Sequence, residues 1–374
     1  MKIPRIDALD AFRGMTIAGM LLVNNPGTWA AIYPPLAHAE WHGWTPTDLI
    51  FPFFVFVVGI TTHLSLETRV ARGDPSGAIT LGILRRGGLI ILLGLLLQAF
   101  PFFPLERITE LRFPGVLQRI GVCYIAAALL SRGRSSRAVA GMVAVLLLGY
   151  WALQALVAPP GVASPTLDVP GDTLSAWIDR VVFGGHLWKQ SKTWDPEGLL
   201  STLPAIGTCL LGVLAGRQLA SGWPLSDRLN ALFAAGGIGA VAGLMWNWVF
   251  PINKNLWTSS YVAFTAGFAA VLLAISYWII DVRGWRGWTK PFVVLGANAI
   301  TLFAASALLV KTMGLIKVHL ADGSIVTLAR YLYVTCFAPL AAPKNASLLY
   351  AIANLLILWA LLAWMYRRQI FLRA

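Results

Sequence analysis

The sequence predicts an all-α fold, a polytopic membrane helical bundle of about ten transmembrane helices with one extra helix on the outer face. Three observations carry this reading. Apolar residues make up 57% of the 374 positions and charged residues only 12%, where a soluble chain carries about a quarter charged. The mean hydropathy is +0.70. Apolar runs of about 17–25 residues, each able to cross a bilayer core of roughly 30 Å, recur along the whole length. A β-barrel would show alternation in place of continuous runs. With no internal repeat or low-complexity tract, residues 1–374 read as a single integral membrane domain.

The spans follow in order. The first, 10–26, carries Arg13 and lacks a small-residue cleavage site, so it reads as a span and not as a signal peptide. The second, 49–66, starts at Thr45-Pro-Thr-Asp, a helix-start pattern. Runs at 83–103, 114–130 and 138–157 precede the longest connection, 158–201, which is too polar to span but rich in aromatics. Further spans fall at 202–220, 229–250, 258–280, 291–312 and 347–366. The stretch "SIVTLARYLYVTCFAPLA" at 324–341 contains Arg330 and ends in a proline-containing segment.

Basic residues orient the bundle. With ten spans, one side holds Lys2, Arg5, Arg13, Arg69, Arg72, Arg85, Arg86, Arg132, Arg134, Arg137, Arg217, Arg228, Arg283, Arg286, Lys290, Arg367, Arg368 and Arg373, eighteen of the 29 Lys and Arg. That side is expected to be cytoplasmic and to contain both termini. An eleventh span would move the closing "YRRQIFLRA" to the other face, so 324–341 is expected to lie on or dip into the outer face. The loop 27–48, free of Lys and Arg, and the connection 158–201 then share the outer side. The net charge of +13 is accounted for by loop anchoring, with no nucleic-acid-binding pattern to suggest another partner. Cys123, Cys209 and Cys336 sit in apolar segments without CxxC spacing and are expected to be small core residues.

Chemistry concentrates around "PLAHAEWHGWTPTDLIFPFFVFVVG" (35–59). His38 is joined by Asn24 and Asn25 at the end of the first span and Asp48 at the opening of the second, and two antiparallel helices can bring them to one mouth. Imidazole can take a proton from an amine or alcohol at neutral pH, and a carboxamide can donate to an oxyanion. Asp48 could orient the ring or simply cap its helix; His42 is a weaker rival to His38. Gln118 and Arg119 lie about a turn inside a span, where a charge needs a partner, a polar cavity or a route to the headgroups. Asp195 and Glu197 in "WDPEGLL" could cap a helix or hold a cationic amine. Asn253, Lys254 and Trp257 in "NKNLWTSSY" have the composition of a sugar platform. Asn298 in "LGANAI" is either helix glue or a cavity ligand. His63, His186 and His319 lack local partners. There is no HExxH or clustered Cys/His for a metal, and the absence of a Walker A or GxGxxG motif argues against ATP-driven transport.

Taken together, "RIDALDAFRGMTIAGMLLVNN", "HAEWHGWTPTDLIFPFFVFVVG", "RFPGVLQRIGVCY", "WDPEGLLSTLPAIGTCLLGVLAG", "NKNLWTSSYV", "GANAI" and "YRRQIFLRA" resemble the heparan-α-glucosaminide N-acetyltransferase family nearly end to end. The resemblance implies transfer of an acetyl group from cytoplasmic acetyl-CoA, with no metal, to the amine of an amino sugar on the far side. It places the catalytic histidine of HAxWxG at His38, and a family asparagine at Asn24, with Asn25 left open because the intervening loop is longer here. The family usually has Asn where this chain has His42. The lysosomal member carries an N-terminal lumenal domain and an extra span not seen here, which implies a compact bacterial inner-membrane core and a glucosamine-type acceptor. A homodimer is also implied. The donor's nucleotide would meet Arg13, Arg85, Arg86 and Asn298. An amino-sugar or small-solute transporter, and an O-acyltransferase acting on an envelope glycan, are the alternative functions.

Overall fold

A computed structural model describes residues 7–104, 109–320 and 323–371; Lys2, Arg5 and Arg373 of the expected basic face lie outside them. Each expected span is helical. The first five are α1 (Asp7–Asn24), α2 (Ile50–Ala71), α3 (Ser76–Ala99), α4 (Val116–Ser131) and α5 (Ser136–Leu156). A ten-residue helix in the long connection, α6 (Leu174–Phe183), precedes α7 (Thr202–Leu219), α8 (Leu225–Trp246) and α9 (Ser259–Tyr277). The chain continues through α10 (Lys290–Ala297), α11 (Ala299–Leu315), the short α12 (Leu328–Leu332) and α13 (Pro343–Arg367).

Length and hydropathy single out fewer than ten of these helices as crossings. Among the described residues seven helices are long and apolar enough to cross, or eight if one bent pair is taken as a span. That pair is α10 and α11, which meet at 81° where Asn298 leaves helical geometry (φ −128°, ψ 42°). The remaining two are α1, whose 18 residues include Asp7, Asp10 and Arg13, and α4, which has only 16 residues. Sequence hydropathy registers the run; it does not register the charges at one end or the bend in the middle.

The extra segment also differs from one outer-face helix. Lys317–His319 and Ile325–Thr327 form a small antiparallel pair, β1 and β2, with Val318 opposite Val326. The chain then passes through α12, a π-turn at Tyr333–Phe337 and a 3-10 turn at Ala338–Leu340. Cys336 in that broken stretch is exposed, unlike the buried Cys123 and Cys209.

Burial orders the helices. About two-thirds of the apolar windows of α2 and α7 is buried, against 28% for α3 and α5 and 22% for α8, so α2 and α7 are interior and the others present wide faces outward. Small residues allow this packing. A methyl added at Gly59 would lie 1.9 Å from the Cys209 carbonyl oxygen, and one at Gly212 would lie 2.0 Å from that of Phe56, so α2 and α7 touch backbone to backbone. The same close approach joins α1 to α10 at Gly14 and Gly296.

Candidate active site

The N-terminal end of α2 builds the first half of the site. Pro46–Leu49 forms a 3-10 turn ahead of the helix, and Asp48 caps back to the Thr45 amide through Oδ2 at 3.0 Å. Oδ2 also accepts from the Ala39 amide at 3.0 Å, which ties the loop carrying His38 to the helix start. Oδ1 lies 2.6 Å from His38 Nδ1. The cap and the orienting carboxylate, alternatives in the sequence, are therefore one residue with its two oxygens divided between the tasks. Asp48 is fully buried, whereas the His38 side chain is 43% exposed. In the tautomer that directs Nδ1–H to Asp48, Nε2 is the ring nitrogen that keeps a lone pair.

Lys254 comes from the α8–α9 connection. Its Nζ lies 3.0 Å from His38 Nδ1 and 3.2 Å from Nε2, and 3.6 Å from Asp48 Oδ1, so the amine flanks the ring. Burial pushes the Lys254 ammonium below its ordinary pKa, against the opposing pull of Asp48 and Glu197. The rest of the expected sugar platform is used differently. Asn253 is buried, and its Oδ1 takes the Leu256 amide. Trp257 is buried as well, bonding Thr208 Oγ1 through Nε1. These two shape the loop that presents Lys254 and do not offer a stacking face. The Tyr261 hydroxyl donates to the Asp48 backbone carbonyl and fixes α9 to the same corner.

The loops expected on one side do meet. Trp41 Nε1 donates to the Leu167 carbonyl at 2.7 Å, and His42 Nε2 lies 3.0 Å from Asp168 Oδ1. Arg112, which the sequence reading passed over, holds the start of α7: Nε and Nη2 reach the two oxygens of Asp195, and Nη2 reaches Glu197. Burial works against this charge, but the two carboxylates outweigh it and raise the guanidinium above its ordinary pKa. Asp195 and Glu197 are thus engaged by a protein cation and are not left to hold an amine. The available signal was an arginine and two acids in loops assigned to one side. Arg119 is 2% exposed, lies over the Trp257 ring and donates to Gly198 O and Ser201 Oγ, so it does not snorkel. Gln118 is buried beside it, against Gly94 and Gly115. His186 stacks on Phe113 and bonds the Leu111 carbonyl, a structural use.

A cavity of about 660 Å³ runs along α2 beyond its first turn. Arg13, Arg86 and Asn298, three of the four residues expected to meet the donor, line it together with Thr61, Thr62 and Tyr124. Arg85 is exposed and lies outside that lining. Arg86 sits over the Tyr124 ring, and its Nε is buried with no hydrogen-bond partner among the described residues. Asn298 donates to the Ile370 carbonyl, so it braces the cavity mouth as well as lining it. On α2 the lining runs from Ser65 to Phe54, a rise of about 16 Å, and Phe54 is roughly 9 Å of helix from Asp48.

Asn24 lies at the His38 end of α1, exposed, but no described contact joins it to His38. It lines a different cavity of about 570 Å³ with Asn25, Trp29, Arg330, Tyr333 and Asn354. Asn25 is buried and donates to the Leu21 carbonyl and Ser306 Oγ.

The chain is a multi-helix membrane protein with a carboxylate-bonded histidine at the start of α2 and an arginine-lined cavity along the rest of that helix. The chain belongs to the heparan-α-glucosaminide N-acetyltransferase family. The family model described as "Heparan-alpha-glucosaminide N-acetyltransferase, catalytic" matches residues 5–235. The human heparan-alpha-glucosaminide N-acetyltransferase is 31% identical over 352 residues, covering 80% of this chain and 52% of the human protein. The mouse protein of the same name is 29% identical over 357 residues, covering 82% and 54%. The chain therefore spans about half the length of the curated relatives it matches.

Proposed function

We propose that this protein transfers an acetyl group from acetyl-CoA to the amine of a glucosamine-type sugar, with donor and acceptor entering from opposite ends of α2. The observation that carries the reading is the His38–Asp48 pair at one end of that helix, with the Arg13 and Arg86 cavity along the other half. Family membership supports the choice of acetyl transfer. In this reading Arg13 and Arg86 meet donor phosphates, and the pantetheine arm runs past Phe54 toward His38. His38 Nε2 takes the proton from the sugar amine as nitrogen attacks the thioester carbonyl, and the Asp48 carboxylate stabilises the imidazolium that forms. The C–S bond then breaks, and the CoA thiolate leaves. Lys254 borders the acceptor position. An oxyanion role for Asn24 is supported by its place at the His38 end and not by a contact. The same proposal includes a bacterial inner membrane, a periplasmic His38 end, cytoplasmic termini and a homodimer.

The test is transfer of labelled acetyl from acetyl-CoA to glucosamine by purified wild type and His38→Ala, with N-acetylglucosamine as the hydroxyl-only comparison. Transfer to glucosamine by wild type alone is expected. Full turnover by His38→Ala removes the histidine mechanism. Folded wild type that neither binds acetyl-CoA nor transfers its label favours a transporter, and equal labelling of both sugars favours an O-acyltransferase.

A further inference from the structure

We propose that the protein also acetylates itself, on Lys254 Nζ, and that this modification shuts down sugar acetylation when the acceptor is scarce. The inference rests on the reading of the His38 end as an acetyl-transfer centre. Lys254 presents a primary amine, the same nucleophile as the 2-amino group of glucosamine, within 3.2 Å of His38 Nε2. That is within the reach a general base needs. Among the described residues it is the lysine whose amine contacts a histidine ring; Lys189 pairs with the exposed Glu110, and Lys311 caps the carbonyls ending α3.

Lys254 is also held in place. Its side chain is 20% exposed. The loop around it is fixed by Asn253 N to Thr258 Oγ1 at 3.0 Å, Leu256 N to Asn253 Oδ1 at 2.9 Å and Trp257 N to Lys254 O at 3.1 Å. A positioned amine beside the base competes directly with any amine that must diffuse in. Burial, which favours the neutral form of Lys254, supports the same conclusion.

The step balances with acetyl-CoA as the co-reactant. The neutral Nζ lone pair forms a bond to the thioester carbonyl carbon, and His38 Nε2 removes a proton from nitrogen. The tetrahedral intermediate collapses with cleavage of the C–S bond, and the CoA thiolate takes up that proton. The products are CoA thiol and Nε-acetyl-lysine. An amide does not pass its acetyl group on readily, so the product is an off-state: the amine beside Asp48 is blocked and an acetamide occupies the acceptor side of His38.

The experiment incubates purified wild type and His38→Ala with acetyl-CoA, with and without saturating glucosamine, and follows each lysine peptide by mass spectrometry. Exposed Lys189, Lys192 and Lys344 report uncatalysed acetylation. Lys254 is expected to acquire acetyl faster than these three, at least about 100-fold more slowly in His38→Ala, and more slowly with glucosamine present. Wild-type sugar turnover is expected to fall as the Lys254 adduct grows, while Lys254→Arg, whatever its initial rate, shows no such decline. Acetylated glucosamine with an unmodified Lys254 overturns the inference and leaves the proposed function standing. Lys254 labelled no faster than Lys189, or equally in His38→Ala, also overturns it. If folded wild type acetylates neither sugar nor lysine, the proposed function itself fails. Should His38→Ala not fold, glucosamine protection in wild type decides: no protection overturns the inference.

Discussion

Asp48 holds His38 through Nδ1 at 2.6 Å while its own backbone carbonyl accepts the Tyr261 hydroxyl, so the ring, the start of α2 and the start of α9 are fixed at one residue. The carboxylate reaches the imidazole nitrogen opposite the one proposed to take the proton. Asp48→Asn is therefore expected to lower kcat for acetyl transfer by about 100-fold or more, with the KM for acetyl-CoA little changed. Steady-state kinetics in detergent read both, and a donor-KM defect without a kcat defect would contradict the assignment.

The cavity lining separates two adjacent arginines. Arg86→Ala removes a guanidinium that lines the cavity, while Arg85→Ala removes an exposed one outside it. Loss of a charge-assisted hydrogen bond costs about 1.5–3 kcal/mol, so Arg86→Ala is expected to weaken acetyl-CoA binding by roughly 10- to 150-fold. Arg85→Ala is expected to bind as wild type does. Calorimetric titration of both variants checks this, and equal effects would move the donor site elsewhere.

Arg112 predicts a stability effect. Asp195 is buried and takes two bonds from it. Arg112→Ala leaves that carboxylate without its cation, a change that costs about 3–5 kcal/mol for a buried pair. Thermal unfolding of the purified variant is expected to show a clear drop in Tm, with the double variant Arg112→Ala, Asp195→Asn recovering part of it.

Asp179 predicts a pH dependence. Burial pushes its carboxyl up from 3.8 to about 6; the Leu199 amide opposes the shift and the Asp195 charge adds to it. Between these values the folded state holds a proton that the unfolded chain has released, so the contribution of Asp179 to stability is fullest below pH 3.8 and declines as pH rises through about 6. Asp179→Asn, which keeps an acceptor for the Leu199 amide, is expected to flatten that decline. Unfolding midpoints measured across this range compare the two slopes.

Helix contact predicts the last outcome. Gly59→Ala places a methyl 1.9 Å from a backbone oxygen on α7, and neither backbone can yield without moving its helix. The yield of folded protein is expected to fall sharply, as judged by size-exclusion profile. Gly88→Ala, where a methyl meets nothing within 4 Å, is expected to behave as wild type does.

Hydropathy located every long helix because each must satisfy its own backbone in lipid, and that requirement leaves continuous apolar runs in the sequence. Local chemistry was legible too: His38 and Asp48 are ten residues apart and share one loop and one helix start. The absence of Lys and Arg from 27–48 placed that loop with 158–201, and Trp41 and His42 do meet Leu167 and Asp168. The β1–β2 pair went unread because three-residue strands leave too short a pattern beside helix-length apolar runs.

By itself the sequence determined a multi-helix membrane protein with His38 and Asp48 close together at the start of its second long helix, and left open whether Asp48 orients the ring or caps the helix, because hydropathy and short-range hydrogen bonding act along the chain. Tertiary structure alone decided the partners. It brought Lys254 to His38 across 216 positions, gave Asp195 and Glu197 to Arg112, buried Trp257 under Arg119, and bent α10 from α11 at Asn298. Those outcomes depend on which helix faces pack together, a choice set by small residues and buried charge meeting in space, which the order of residues along one chain does not display.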